Sequence, residues 1–415
     1  MKKEYLNLAL PSGFECIVGV LITMTDTFMI SRFGSKIIST VGAMGTVIDF
    51  MYLILQSINV SNNVIVARLL GKDEKNKMKN ATGTALLIAI FSSIFCILVI
   101  LCTSSFIPSI FAVEKIGLIY LYIRLIGVIP NTILTILSGY QRTLGNSRKM
   151  LNVRIFCLVV NAILDFLFIE LGLGISGVAL ATVIVEILNM LILIHYCKGI
   201  VNLKYNKDIV KEEFKLIKYN IYERLFKRGS NFILNIIMSR IGHIQYATHL
   251  IVMQFLDILN NFLHGTGIGT QTMIGTAIGS EDKRKIKLTS KVVKRLNNKI
   301  IFITTLIIGI SMFILLPFFL IENDSLEIGY KLLIFVLLDC ILSGYYYYYT
   351  SILRAMKEFK YISKLSLWIS AFLKLILAFF FSRILEIYGI WLGFIISDTI
   401  MNILLNKRMK NFENN

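Results

Sequence analysis

Charge is scarce in this chain. Only 16% of its 415 residues are Asp, Glu, Lys or Arg, where soluble globular chains carry about 25%, and that excludes an ordinary soluble enzyme. Proline is scarcer still. Four prolines beside 27 glycines exclude a disordered or fibrous chain. Acids are outnumbered, 25 against 43 Lys and Arg. The four histidines, His243, His249 and His264 among them, and the six cysteines have no metal-ligand spacing. Cys16, Cys96, Cys102, Cys157, Cys197 and Cys340 all fall in or beside apolar blocks, where small buried hydrophobes are expected rather than a disulfide framework. No Walker loop, dinucleotide fingerprint or nucleophile motif occurs, so neither an enzyme nor ATP-driven work by this chain is expected. No cleavable leader is expected either, because Met1-Lys2-Lys3 runs into a long apolar segment without a small-residue cleavage site.

What is abundant is apolar sequence, 56% of the chain, gathered into blocks long enough to cross a bilayer. A crossing needs about 20 residues at 1.5 Å each. Twelve blocks qualify, near 6–31, 37–68, 81–105, 117–141, 150–170, 175–197, 225–243, 246–279, 291–320, 329–353, 361–382 and 387–405. The expected class is an all-α polytopic membrane protein. The seventh block is the weakest, because Lys227, Arg228, Arg240 and His243 crowd a short apolar core.

A net charge of +18 suggests nucleic acid until its placement is read. The basic residues cluster between apolar blocks, as topology signals do. Twelve spans put both termini on one side. That side then receives 35 of the 43 Lys and Arg, and the other receives 7: Arg32, Lys36, Lys115, Arg124, Arg240, Lys331 and Arg383. The basic excess belongs in the cytoplasm, so both termini are expected there and no nucleic-acid partner is expected.

The chain repeats itself. A shift of 208 residues lays Arg32-Phe33-Gly34 on Arg240-Ile241-Gly242, Asp49 on Asp257 and Gly71 on Gly279. A shift of 212 lays Arg142 on Arg354, Gly177 on Gly389 and Glu186 on Asp398. The repeat implies two six-span halves, 1–200 and 225–415, joined by a basic cytoplasmic linker at 201–224. An even span count gives both halves one orientation, so a pseudo-twofold along the membrane normal is expected, with substrate handled between parallel repeats. A duplicated scaffold without transport, or a channel, is the alternative from another class.

Eight acids lie inside the blocks: Glu15, Asp26, Asp49, Asp165, Glu186, Asp257, Asp339 and Asp398. A carboxylate in hydrocarbon costs several kcal/mol unless it meets water, a partner or an ion. Depth singles out four residues. Asp26 lies near the outer end of span 1, Asp165 near that of span 5 with Asn161 one turn deeper, and Thr182 reaches the same level on span 6. Two carboxylates, an amide oxygen and a hydroxyl suit a hard cation such as Na⁺, or a shared proton. Their counterparts in the second half are Leu234, Leu373, Leu377 and Phe394, so the polar set exists once. Scaffold residues would tend to recur, which favours function over packing. Weaker substrate-cavity candidates are Glu186, Asp257, Asp339, Lys374 and Asp398. Lys374 is expected to neutralise Asp339 or Asp398, because an unpaired buried ammonium is costly. Tyr345–Tyr349 is expected to anchor at the interface more than to stack on a cargo.

These motifs resemble the multidrug and toxic compound extrusion (MATE) family across nearly the whole chain. Leu10-Pro11 opens span 1, and Thr25-Asp26-Thr27-Phe28-Met29-Ile30-Ser31-Arg32-Phe33-Gly34 is similar to the family's "vDtifvGrlG". Gln141-Arg142-Thr143-Leu144-Gly145-Asn146 resembles "gxxRAlGd". Asn161-Ala162-Ile163-Leu164-Asp165, Gly172-Leu173-Gly174 and Gly177-Val178-Ala179-Leu180-Ala181-Thr182 resemble "NiiLD…GlG…GaAlAT". The resemblance implies an alternating-access antiporter of a bacterial inner membrane, without a cofactor, exporting organic compounds in exchange for Na⁺ or H⁺. In one prokaryotic branch the positions matching Asp26, Asn161, Asp165 and Thr182 form the cation site. Deep acids outnumber deep bases here, which favours cationic or neutral cargo; a monomer is expected, with cargo and lipid as its partners. A lipid-linked oligosaccharide flippase of the same superfamily is the runner-up. The chain departs from the pattern at Asn146, at Ser31 and in span 7, which has no glutamate where another branch uses one.

Overall fold

The computed structural model describes residues 1–33, 35–107, 109, 116–199, 207–239, 241–319 and 323–414. Gly34, Lys115 and Arg240, all used in the sequence argument, lie outside that set. The described residues are almost wholly helical, and their helices coincide with the twelve apolar blocks. The first six are α1 (Lys2–Ser31), α2 (Ser35–Gly71), α3 (Lys75–Thr103), α4 (Gly117–Thr143), α5 (Ser147–Glu170) and α6 (Gly174–Tyr196). Then come α7 (Lys207–Ser239), α8 (His243–Gly279), α9 (Lys283–Phe319) and α10 (Asn323–Ala355). The eleventh, α11, starts as Phe359–Leu365, widens into a π-helical stretch at Ser366–Leu373, and continues from Lys374. The Lys374–Asn414 stretch breaks at Glu386, where φ is 50° and ψ −126°. The part beyond 386 is α12.

Eight helical stretches among the described residues are long and apolar enough to cross a membrane, the last of them, Phe359–Lys410, containing both α11 and most of α12. The remaining helices, α7, α8 and α10, carry ionic and aromatic residues of the second half's interior, among them Glu223, Lys227, Asp339 and Tyr346. The stretch expected as a basic linker at 201–224 is helical from Lys207 on.

Packing groups the chain into two units. One is Phe14–Ile217 and the other is Met1–Gly13 with Lys218–Asn415; they are the first and second units below. In the first, α4 packs against α2, α3 and α6, and α5 against α6. In the second, α10 packs against α8, α9 and the Lys374–Asn414 stretch. The N-terminal turns of α1 join the second unit through close contact with α8. A Cβ on Gly269 would come within 2.7 Å of the Ala9 backbone and one on Gly265 within 2.3 Å of that of Ser12, and Tyr5 and Thr270 share a hydroxyl hydrogen bond of 3.0 Å. This is the small-residue packing by which membrane helices approach one another.

The duplication is legible in the backbone. Left-handed turn residues recur at the same two shifts: Asp73 (φ 56°) and Glu281 (φ 58°), Gly145 (φ 88°) and Lys357 (φ 65°), Gly174 (φ 54°) and Glu386 (φ 50°). A side chain in that region costs roughly 1–2 kcal/mol. The turn geometry is therefore imposed by the helices it joins, and glycine eases it only in the first unit.

The duplication is also legible in an ion pair that the sequence argument did not find. In the first unit Arg142 Nη1 donates to Glu15 Oε1 at 2.7 Å, with Ser138 bridging both. In the second, Arg354 Nη2 donates to Glu223 Oε1 at 2.7 Å, joined by the Tyr346 hydroxyl at 2.8 Å. The partners sit 208 and 212 residues apart, the two repeat shifts. Glu223, which falls in the stretch expected as a cytoplasmic linker, is buried. The missing signal was the register of Glu15 on Glu223, which only the arginine half of the pair announced.

Candidate functional site

Three helices of the first unit converge on the predicted polar set. Asp26 comes from α1, Asn161 and Asp165 from one face of α5, and Thr182 from α6, and all four side chains are buried. Asn161 and Asp165 are one turn apart, so the α-helical period stacks them. The start of α6 is fixed by the turn Gly172-Leu173-Gly174, whose two glycines adopt φ of 79° and 54°. That backbone suits glycine, which is the physical content of the glycine motif.

The set is bonded in a way that leaves oxygens over. The Thr182 hydroxyl lies 3.1 Å from Asp26 Oδ2 and 2.9 Å from the Val178 carbonyl, and its single hydrogen serves either. Asn161 Nδ2 donates to Asp165 Oδ2 at 3.3 Å. Asp165 and Asn161 are also within hydrogen-bonding reach of Asp26. Asp26 Oδ1, Asn161 Oδ1 and Asp165 Oδ1 remain buried without a partner. Buried polar atoms are nearly always satisfied, so three unpartnered oxygens in one cluster mark a place for a cation or protons. With the Thr182 hydrogen on Val178, its oxygen also faces the cluster. Among the described residues no three His, Cys, Asp or Glu converge as metal ligands. Two carboxylates with neutral oxygens make an all-oxygen donor set of the kind hard cations prefer.

Next to it stands a second network that sequence reasoning missed. Arg124 on α4, assigned to the external loops, is half-buried, its side chain 11% exposed and its guanidinium 3.4 Å from Glu186 Oε1. The same oxygen accepts from Asn131 Nδ2 at 2.9 Å and from the Tyr52 hydroxyl at 3.4 Å. Gly127 leaves room for Glu186, since a Cβ there would sit 2.0 Å from Glu186 Oε2. The signal was available: Arg124 comes only seven residues after the start of an apolar block. Glu186 is therefore held by the first unit's own arginine.

The remaining candidates divide. Asp339, Lys374 and Asp398 line a cavity of about 130 Å³ in the second unit together with Lys227, Tyr346 and Trp391. Lys374 Nζ donates to Asp398 Oδ2 at 3.2 Å and rests 4.3 Å from the Phe394 ring centroid. Lys227 Nζ stands 3.8 Å over the Tyr346 ring. Asp339 accepts from Ser343 at 3.4 Å. Asp257 is exposed and does not line this cavity. The tyrosine run also differs from expectation. Tyr346 and Tyr348 are buried and Tyr346 and Tyr347 line the cavity, because five consecutive helical residues cannot all face an interface. His249 packs edge-on to Trp391 at 5.7 Å and His264 to Tyr347 at 5.9 Å; the side chain of His243 lies outside the described residues. All six cysteines are free, and Cys102 is exposed where burial was expected.

The sequence model of the MatE family matches residues 11–167 and 221–380, one segment in each half. A probable multidrug resistance protein NorM of Thermotoga maritima is 23% identical over 307 residues, 69% of this chain; the match spans 65% of that protein's length. A protein of the same description from Mannheimia succiniciproducens is 20% identical over 98% of this chain and 93% of its own. Among solved structures, an outward-facing multidrug resistance MATE family transporter of the MOP superfamily superposes with a TM-score of 0.89 at 18% identity, covering 99% of this chain and 96% of its own. A MOP superfamily transporter from Pyrococcus furiosus, described as having a binding pocket of reversed polarity, gives 0.89 at 17% identity over 100% and 96%.

Proposed function

Because the chain belongs to the MatE family of membrane transporters, we propose that it is a secondary active antiporter, exporting organic compounds, cationic ones above all, in exchange for Na⁺ or H⁺ by alternating access. The observation that carries this reading is the trio Asp26 Oδ1, Asn161 Oδ1 and Asp165 Oδ1, buried and unpartnered. Two carboxylates brought together away from water repel strongly unless a cation or a proton lies between them. An ion arriving there neutralises Asp26 and Asp165, while Asn161 and Thr182 complete its shell with neutral oxygens. Binding is then worth more in the conformation that closes the cluster, which is how an ion gradient biases two states. Asp339, Lys374 and Asp398, beside the aromatic wall of the second-unit cavity, are the groups placed to meet cargo.

The lopsided distribution of Lys and Arg supports a bacterial cytoplasmic membrane with both termini inside. The halves are 1–200 and 225–415, joined by a cytoplasmic linker at 201–224, and the chain works as a monomer. The test is efflux of a panel of fluorescent cations from proteoliposomes, with the Na⁺ and pH gradients imposed separately. Export that tracks at least one gradient and stops when it is collapsed supports the reading. Export indifferent to both would overturn it.

A further inference from the structure

The second-unit cavity holds two carboxylates, as the Asp26 cluster does, but nothing comparable is left open. Asp398 is the repeat counterpart of Glu186, and Asp339 falls where the first unit has Gly127. Lys374 Nζ lies 3.2 Å from Asp398 Oδ2, and Lys227, one helix away, adds a second ammonium to the same wall. Counted as ionised groups, two carboxylates face two ammoniums. In the first unit three carboxylates, Asp26, Asp165 and Glu186, share one directly paired guanidinium, Arg124, with Arg154 acting on Glu186 from farther off. The buried atoms left without a partner differ in kind as well. At the second-unit cavity they are Asn260 Oδ1 and Trp391 Nε1, a neutral acceptor and a neutral donor, among the described residues.

The backbone explains how the lysine gets there. The counterpart of Asn161 is Leu373, the last residue of the π-helical stretch Ser366–Leu373, and Lys374 comes directly after it. Turns closed five residues apart widen a helix and rotate the register of the residues beyond them, and such stretches concentrate at functional sites. The corresponding helix in the first unit, Ser147–Glu170, is regular and presents Asn161 and Asp165 instead.

We propose that Lys374 is a resident counter-cation for Asp339 and Asp398, which frees the second-unit cavity from any need for an inorganic cation and confines ion coupling to the Asp26 cluster. The proposal rests on the reading that the Asp26 cluster takes the coupling ion. Cargo entering the second unit then meets a balanced, aromatic-walled cavity whose charge does not change with the gradient. An ammonium tethered to α11 cannot leave, so it holds the acids without contributing to transport stoichiometry.

The test counts cations on the purified full-length protein, Na⁺ with a radioactive tracer and protons with a pH-sensitive dye in the same sample. Lys374→Met should bind about one more cation per chain than wild type. The gain should persist in Asp26→Asn/Lys374→Met and vanish in Lys374→Met/Asp398→Asn, while Lys374→Arg should match wild type. An unchanged count in folded Lys374→Met overturns the proposal. Should Lys374→Met be too unstable to count, added Na⁺ or acid should raise its melting temperature more than that of wild type, and no such rescue also overturns it. If Asp26→Asn alone leaves the wild-type count intact, the first-unit reading fails instead, and the Lys374 result stands on its own.

Discussion

The two units carry the same helix order, three recurring left-handed turns and the same Glu–Arg pair, and they part company where charge is placed. In the first unit the acids Asp26, Asp165 and Glu186 outnumber the arginine paired with them, and in the Asp26 cluster three oxygens lack partners. In the second, Lys374 binds Asp398 and the acids are matched. Duplication fixes what holds a unit together, so features present twice are read as scaffold. Features present once are where the halves have been given separate work. A carboxylate with an arginine or lysine bonded to it is costly to disturb but has little left to offer an ion. A carboxylate facing another carboxylate must find its counter-charge elsewhere.

The largest expected effect breaks the comparison at its asymmetric point. Asp26→Asn or Asp165→Asn should each lower gradient-driven efflux by about 100-fold, since each removes a charge-assisted ligand contributing roughly 1.5–3 kcal/mol from the cluster proposed to couple ion binding to closure. Membrane insertion and melting temperature should hold. Leu234→Ile and Leu377→Ile, at the repeat counterparts, should leave efflux near wild type. Equal losses at the aspartates and the leucines would show that the cluster matters only for packing.

The next effect tests the symmetric part. Arg142→Ala strands the half-buried Glu15 and Arg354→Ala the buried Glu223, and each should cost up to about 3–5 kcal/mol of stability. Removing both partners, as in Glu15→Gln/Arg142→Met, should cost clearly less. Thermal unfolding in detergent reads both, and the two units should respond alike.

Much of the fold was legible because the bilayer admits few alternatives. Backbone groups in hydrocarbon must bond within their own segment, so apolar blocks of sufficient length become helices, and the twelve blocks do. The Asp26 set was legible because helical depth and the absence of a repeat both pointed to it. Arg124 was not, because a basic residue near a block end reads as a topology signal until its burial is seen. The role of Lys374 depended on a π-helical stretch that no hydrophobic period announces. Asp257 recurs with Asp49 at the repeat shift, yet it is exposed and away from the cavity, since the period of a helix sets a face and not a destination.

A smaller effect concerns Gly127. Its missing Cβ leaves space for Glu186, so Gly127→Ala should push Glu186 off Asn131 and Arg124 at a cost of about 1–3 kcal/mol. Gly344→Ala in the second unit, where the crowding atom is the Ile301 side chain at 2.6 Å, should cost less because no ionic network is disturbed.

The smallest effect lies outside the membrane-spanning part. Glu213, on the α7 segment that packs with the first unit, is fully buried with both carboxylate oxygens unpartnered. Burial, and then the neighbouring Glu212, push its carboxyl up to about 8. The packed state therefore binds a proton that the open state releases, and packing of 207–217 should weaken as pH rises from the ordinary glutamate range through about 8. Hydrogen exchange over 207–217 at pH 6 and pH 9, compared after correction for intrinsic rates, should show this opening. Glu213→Gln should remove the difference.

The most direct measurement is cation uptake by the purified protein, Na⁺ and protons counted together, in two double variants. Asp26→Asn/Asp165→Asn should lose the uptake, and Asp339→Asn/Asp398→Asn should keep it at the wild-type count. Uptake that survives the first pair and disappears with the second would contradict the account at its root.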